Sequence, residues 1–166
     1  NGVDDRMIKI LSKIYGKMFF DYVTNLDKRA SFPIHMVIEE AHRYVQNDHD
    51  YEVLGYNIFD RITKEGRKYG ILLGLITQRP SELSTTSLSQ CSNFLVLRLR
   101  HPDDVDIVSR ISAAVNKNML ERVKTLRSGM PLCFGTAFNI PVIVDMTLPN
   151  PMPTSTSVDV VKVWYN

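Results

Sequence analysis

The sequence predicts an α/β fold with a mostly parallel sheet flanked by helices. Short apolar runs alternate along the chain with segments whose apolar residues recur every three or four positions. The runs are apolar at consecutive positions, which is typical of strands buried on both faces of a parallel sheet. With 44% hydrophobic and 23% charged residues, the 166-residue chain has the composition of an ordinary folded protein and is long enough to bury a core without disulfides.

The first half of the chain contains two predicted helices and two predicted strands. Apolar residues at helical spacing predict a long amphipathic helix over residues 3–26. Residues 33–38 form a short apolar run that ends at two carboxylates, and we predict a buried parallel strand there. Helical spacing returns over residues 51–69 and stops at Gly70, after which residues 71–77 form the second predicted strand.

The second half predicts a third strand, two helices and a hairpin. The Ser/Thr-rich stretch 81–92 holds at most a short helix, and residues 93–100 are the third strand. Proline and two acids open a helix at residue 102, as suits a first helical turn. A shorter helix over 118–126 precedes two strands, 132–135 and 141–146, that lie close enough in sequence for a hairpin.

The chain divides into a domain over residues 1–148 and a tail over residues 149–166. The tail starts with a Pro-rich linker and ends in an apolar extended segment, which we expect to brace a neighbouring subunit. The chain starts without Met in a pattern already under way, so we expect it to be a piece of a longer protein.

Charge, cysteines and apolar runs exclude several classes of protein. A net charge of +2 does not require an acidic partner. No apolar run approaches the roughly 18 residues of a spanning helix, so we expect no membrane association and a cytoplasmic location. Cys91 and Cys133 lie far apart without any Cys/His ligand spacing, and we expect both to be reduced and buried.

Paired acids follow the first predicted strand. Glu39 and Glu40 come directly after four apolar residues. Nucleoside triphosphatases build the Walker B element in this way, with one carboxylate on the Mg²⁺ shell and the next polarising the attacking water. The alternative is a pair of exposed acids at the start of the next segment.

Two further positions fit phosphate chemistry. Gln78 ends the second strand, where an amide can hydrogen-bond a γ-phosphate and a water; the alternative is a turn residue. Arg67 lies in the basic cluster 64–68 at a predicted helix end, where it would reach a neighbouring subunit's nucleotide or belong to a solvated face.

Other chemistries lack their motifs. His42, Asp48, His49 and Asp50 fit no structural zinc spacing, so we expect a polar loop. No Gly-x-Ser-x-Gly nucleophile elbow is present. The 166 residues also lack the Gly-x-x-x-x-Gly-Lys-Ser/Thr loop that cradles phosphates.

Three motifs in this order give the chain a family resemblance. The sequence resembles the C-terminal half of the HerA helicase/translocase family, within the HerA–FtsK group of RecA-like P-loop ATPases. The resemblance extends from Pro33 through most of the remaining chain. It rests on Ile38-Glu39-Glu40-Ala41-His42-Arg43-Tyr44, on Glu65-Gly66-Arg67-Lys68-Tyr69-Gly70, and on Ile76-Thr77-Gln78-Arg79-Pro80-Ser81-Glu82-Leu83.

The resemblance implies a RecA-like ATPase domain that uses ATP and Mg²⁺. It makes Glu39 the acid that holds Mg²⁺ through water and Glu40 the catalytic base or the acid that polarises the attacking water. Gln78 becomes the γ-phosphate sensor, and Arg67 the arginine finger that acts in trans, with Arg61 second. Glu39 stands where the family more commonly has Asp.

The resemblance also implies partners. Family members form homo-hexameric rings on double-stranded DNA and work with a nuclease of the NurA type or a phage-defence effector. The Walker A half is absent from these residues, so the chain alone is expected to be inactive. The open alternatives are a conjugative or type IV secretion ATPase and a non-catalytic oligomerisation module.

Overall fold

A computed structural model describes residues 4–46 and 57–154, together with Trp164. The fold is α/β, as predicted. In chain order the helices and strands are α1 (Asp5–Thr24), β1 (Ile34–Ile38), α2 (Ile58–Tyr69), β2 (Ile71–Leu75), α3 (Thr85–Gln90), β3 (Asn93–Val96), α4 (Pro102–Ile111), α5 (Lys117–Val123), β4 (Leu132–Gly135) and β5 (Val142–Ile143), with single 3₁₀ turns at Ala41–Arg43 and Pro80–Glu82.

The ends of α2 are set by one cap at each terminus. Asn57 has an extended backbone, and its Oδ1 accepts the N–H of Phe59 at 2.9 Å. The described helix therefore begins at Ile58, and residues 51–56 of the predicted helix lie outside the described residues. Gly70 ends the helix in the left-handed region with φ 88°, as the sequence predicts.

Strands β1 and β2 form the predicted parallel pair. Ile34 lies opposite Ile71, and Ile38 lies opposite Leu75. Beyond the last pair, Ile76 donates its N–H to the carbonyl of Ile38 at 2.9 Å. The carboxyl ends of the two strands therefore meet at one edge of the sheet.

Strand β3 does not extend this parallel pair. It pairs antiparallel with β4, and β4 pairs antiparallel with β5 in the predicted hairpin. In the part of the chain that the structure describes, no ladder joins β2 to β3. A single parallel sheet is therefore the wrong prediction for β3, because an apolar run indicates burial but not the partner or its direction.

Two apolar clusters form the core. One lies among α1, α2, β1 and β2 and includes Phe20, Phe59 and Ile71. The other lies beneath the antiparallel sheet and includes Leu132. Phe94 packs against both, and its ring stacks on Phe134 with centroids 5.0 Å apart. The Phe94–Phe134 stack lies within the antiparallel sheet, and the packing of Phe94 against the first cluster connects that sheet to the parallel pair.

One face of the strands carries no layer of helices within the described ranges. Val37 of β1, Leu72 of β2 and Leu95 of β3 are each more than half exposed, at 56%, 53% and 59%. The prediction that helices cover both faces is therefore wrong for these residues. Continuous apolar runs are nonetheless typical of strands that are buried on both faces. The exposed face is therefore apolar surface that would ordinarily be buried.

Helix α1 also has an uncovered side. It packs on α2 through Gly16 and Phe20 and buries Val23. The apolar face of α1, defined as the stripe that predicts this helix, stays exposed on the opposite side. It comprises Met7, Ile10, Leu11, Ile14, Met18 and Tyr22.

No helix among the described residues combines the length and apolarity needed to cross a bilayer. Residues 155–163 of the tail, on which the predicted brace depends, lie outside the described residues. The brace stays a prediction.

Candidate active site

The parallel pairing brings the predicted acids and amide together. Glu39 and Glu40 directly follow β1, and Gln78 lies three residues beyond β2 at the same edge. Gln78 Nε2 donates a hydrogen bond to Glu40 Oε1 at 3.2 Å. The side chains predicted to face the γ-phosphate and its water are therefore in contact.

Glu40 has a backbone that residues other than glycine rarely adopt. Its φ is 51° and its ψ is 42°, in the left-handed region. The neighbouring backbone fixes this conformation, since Ala41 donates its N–H to Ile76 O and Arg43 donates its N–H to Glu40 O, both at 2.9 Å. Ala41 is fully buried, so packing around its side chain also restrains the turn. Such a strained conformation persists only where its surroundings over-determine it.

The second carboxylate oxygen of Glu40 faces a histidine. Glu40 Oε2 lies 3.5 Å from His42 Nδ1, and the same nitrogen lies 3.0 Å from Thr77 Oγ1. Thr77 Oγ1 also accepts the backbone N–H of Arg79 at 3.0 Å. Sequence reasoning did not include His42 and Thr77 in this site. Their positions beside the acids and beside Gln78 were the available signal.

Glu39 is exposed at the strand end. Within the described residues its carboxylate makes no hydrogen bond or ion pair with the protein, and no cluster of three metal-ligating side chains occurs there. Mg²⁺ bound with nucleotide keeps several waters and takes one or two protein carboxylates. The exposed Glu39 carboxylate and its neighbour Glu40 fit that mode of binding.

The segment after Gln78 is anchored to α4. Asp104, buried in the first turn of that helix, accepts hydrogen bonds from Ser81 N at 3.0 Å and Ser81 Oγ at 2.7 Å. Arg79 bonds Glu82 at 2.8 Å, and this hydrogen bond raises the pKa of Arg79 above its ordinary value. The loop that carries Gln78 is therefore held at both of its ends.

The two arginines do not join this cluster. Arg67 is exposed on the last turn of α2, directly before β2 begins. The five residues of β2 span about 17 Å, which places Arg67 toward the opposite edge of the sheet from Gln78. Arg61 lies 4.8 Å above the Phe20 ring and 3.6 Å from Glu65. Neither guanidinium serves the Glu40 site of its own subunit in this structure.

The other candidates from the sequence are the histidines and acids at positions 42–50 and the two cysteines. His42 is engaged with Thr77, and positions 48–50 lie outside the described residues. Both cysteines are free, Cys133 buried and Cys91 half-buried. Burial raises the pKa of each thiol, so little thiolate is present near neutral pH.

Sequence comparison identifies helicases as relatives. The chain is 33% identical over 142 residues to the DNA double-strand break repair helicase HerA of Pyrococcus furiosus, a match that covers 84% of this chain and 25% of the relative. It is 31% identical to the HerA of Sulfurisphaera tokodaii, over 85% of this chain and 29% of the relative. A probable helicase of Methanocaldococcus jannaschii is 38% identical over 70% of this chain and 22% of its own length. The chain thus spans about a quarter of the length of these relatives. No protein-family model matches it.

Structure comparison identifies the fold. The genome packaging NTPase B204 of Sulfolobus turreted icosahedral virus 2, solved with AMPPCP, superimposes with a TM-score of 0.58 at 19% identity, over 87% of this chain and 62% of B204. The B204 complex with ATP-γS gives a TM-score of 0.58 at 20% identity, over 86% of this chain and 61% of that one. The shared feature is the α/β fold.

Proposed function

The chain is a HerA-type sequence, homologous over most of its length to those helicases, and on that premise we propose that it is the C-terminal part of an ATP-driven translocase of double-stranded DNA. One observation carries the proposal. The Glu40 carboxylate and the Gln78 amide come from two different strands and touch at the strand ends. Ligands of open α/β sheets bind at this edge.

Each residue of the edge has a role in ATP hydrolysis. Glu39 would hold Mg²⁺ through water, and Glu40 would accept the proton of the water that attacks the γ-phosphate. The neutral side-chain amide of Gln78 donates a hydrogen bond to the γ-phosphate. Bound Mg²⁺ would neutralise phosphate charge, and the three side chains orient and deprotonate the water.

Arg67 is the proposed arginine finger, with Arg61 second. The exposure of Arg67 and its distance from the Gln78 edge support action on a neighbouring subunit's nucleotide. Arg61 is engaged with the Phe20 ring and Glu65 inside its own subunit, which supports the lower rank.

The proposed assembly follows from this arrangement. A finger acting in trans requires a neighbouring subunit, and we propose a cytoplasmic homo-hexamer on double-stranded DNA that works with a nuclease of the NurA type or a phage-defence effector. The P-loop comes from another part of the complete protein, because these 166 residues contain none.

Glu40→Gln in the complete protein tests the proposal. The change keeps the shape of the side chain and removes its charge, so ATP binding persists while turnover collapses. Glu121→Gln on α5 is the matched control, because among the described residues its exposed carboxylate pairs with the nearby Lys124 and no other cation. Near-normal turnover in Glu40→Gln would contradict the proposed role and make Glu39 the first alternative base.

A further inference from the structure

We propose that His42, held by the Thr77 hydroxyl, is a positioning residue for the Glu40 carboxylate. The inference rests on the proposed function, since it assigns a task to a side chain beside the proposed base. His42 lies on the 3₁₀ turn directly after the acids, and its side chain is only 14% exposed. A largely buried imidazole beside an exposed edge has few orientations available.

The two carboxylate oxygens of Glu40 have different neighbours. Gln78 Nε2 donates to Oε1 at 3.2 Å, and Oε2 lies 3.5 Å from His42 Nδ1. A carboxylate held at one oxygen can still rotate about its last bond. A second contact on the other oxygen removes that rotation and sets which lone pair faces the edge.

Thr77 sets the position of the imidazole. Its hydroxyl oxygen lies 3.0 Å from His42 Nδ1 and accepts the Arg79 N–H at 3.0 Å. A hydroxyl oxygen has two acceptor lone pairs, so it accepts from both nitrogens when Nδ1 carries the imidazole proton. We assign that tautomer, in which Nδ1–H is donated to Thr77 while Glu40 Oε2 lies 3.5 Å from the same nitrogen.

The histidine contact matters most when nucleotide is bound. Gln78 then turns its amide toward the γ-phosphate, and its bond to Glu40 weakens. His42 lies beside the other oxygen and is hydrogen-bonded to Thr77, the residue before Gln78, so it keeps the carboxylate in place during that exchange. Catalytic hydrogen bonds that are long without substrate commonly tighten in the reacting complex.

Four single variants of the complete protein test this inference. His42→Asn keeps an N–H group at the position of Nδ1, and His42→Ala removes it. Thr77→Ser keeps the hydroxyl, and Thr77→Val removes it at nearly equal volume. The measurements are kcat and KM for ATP, with the melting temperature of each variant to monitor folding.

Removing a partner that orients a reacting group commonly costs about 10- to 100-fold in activity. We therefore expect His42→Ala and Thr77→Val to lower kcat by about that factor with KM unchanged, while His42→Asn and Thr77→Ser recover most of it. Adding His42→Ala to Glu40→Gln should cause no further loss, because His42 acts only through Glu40.

Several outcomes would overturn the inference. They are an unchanged kcat in His42→Ala, a rise in KM alone, no recovery in His42→Asn, or a further loss in the double variant. If His42→Ala does not fold, the comparison of Thr77→Val with Thr77→Ser decides. Normal turnover in Glu40→Gln would remove both this inference and the proposed base, whereas collapse in Glu40→Gln with normal kcat in His42→Ala would overturn this inference alone.

Discussion

Glu40, the proposed catalytic base, has a backbone conformation that suits glycine. The left-handed region costs a residue with a Cβ about 1 to 2 kcal/mol. Only Ala30, with φ 54°, shares this conformation among the other non-glycine residues that the structure describes. This conformation directs the Glu40 side chain toward Gln78 at the ends of the strands. The protein therefore loses some folding stability at the proposed active site.

Glycine at position 40 should therefore stabilise the protein and inactivate it. We expect Glu40→Gly to raise the free energy of unfolding by about 1 kcal/mol and to abolish ATP turnover in the complete protein. Urea denaturation measures the first effect. Ala30→Gly is the control, because it relieves the same strain on an exposed turn and should leave turnover intact. Stabilisation in Ala30→Gly without stabilisation in Glu40→Gly would show that the Gln78 contact outweighs the strain.

The cysteines should react slowly with thiol reagents. Burial raises the pKa of both thiols, so the reactive thiolate forms only at higher pH than in a free cysteine. We expect modification by iodoacetamide to be slow at pH 7, to accelerate as the pH rises, and to become fast in urea. Cys91 is half-buried and Cys133 buried, so Cys91→Ser should leave the slower thiol. Equal rates in native and unfolded protein would contradict the burial.

At the scale of elements, two glycines of the motif around Arg67 have packing roles. A Cβ on Gly66 would lie 3.1 Å from the carbonyl oxygen of Ile71, so Gly66 lets α2 approach β2 closely. A Cβ on Gly70 would lie 3.1 Å from the backbone of Ala30, in a residue that already has φ 88°. This part of the family pattern thus serves the joint between α2 and β2.

Alanine at Gly70 should cost more stability than alanine at Gly129. Both glycines have positive φ, 88° and 79°, but the nearest atom to a Cβ on Gly129 is 4.0 Å away. We expect about 1 to 2 kcal/mol for Gly129→Ala from conformation alone and a larger loss for Gly70→Ala from the added contact. Denaturant unfolding of the two variants measures the difference. Equal losses would show that the Ala30 segment moves aside without cost.

The sequence predicts the helices and strands better than it predicts what each of them packs against. Apolar runs and helical spacing are local signals, so β1, β2, α1 and the hairpin lie where expected. The direction of β3 and the uncovered strand face depend on distant partners, which periodicity does not encode. The Asn57 cap that starts α2 is a single side chain inside an apparently continuous helical pattern.

The candidate site divides in the same way. The contact of Glu40 with Gln78 was predictable, because parallel strands share an edge for their carboxyl ends. The contacts of His42 with Glu40 and Thr77 were not, because they depend on the direction that the chain takes after the left-handed Glu40. Arg67 stays a prediction, since its proposed target lies in another subunit.

At the scale of the whole molecule, the chain alone should not bind ATP tightly. It carries the acids and the amide but no phosphate cradle. Titration of the 166-residue chain with a fluorescent ATP analogue in Mg²⁺ should show no saturation at micromolar concentration. Micromolar binding would reveal a phosphate site of another type.

Mixed rings test the division of the site between subunits. Arg67→Ala should abolish turnover in the complete protein without unfolding it, because an arginine finger contributes about 10³- to 10⁵-fold in rate. A ring that combines Arg67→Ala subunits with Glu40→Gln subunits contains some interfaces with an intact acid and an intact finger. Activity should therefore reappear on mixing. No recovery would place both groups in one subunit or remove Arg67 from catalysis.

The apolar face of α1 and the uncovered strand face affect how the isolated chain can be handled. Together they leave Met7, Leu11, Val37, Leu72 and Leu95 in water, and a net charge of +2 supplies little repulsion between molecules. Purification near the sequence pI of about 8.6 would remove even that repulsion. Shelf life in the laboratory should therefore depend on concentration and salt before it depends on temperature, and mild detergent should extend it.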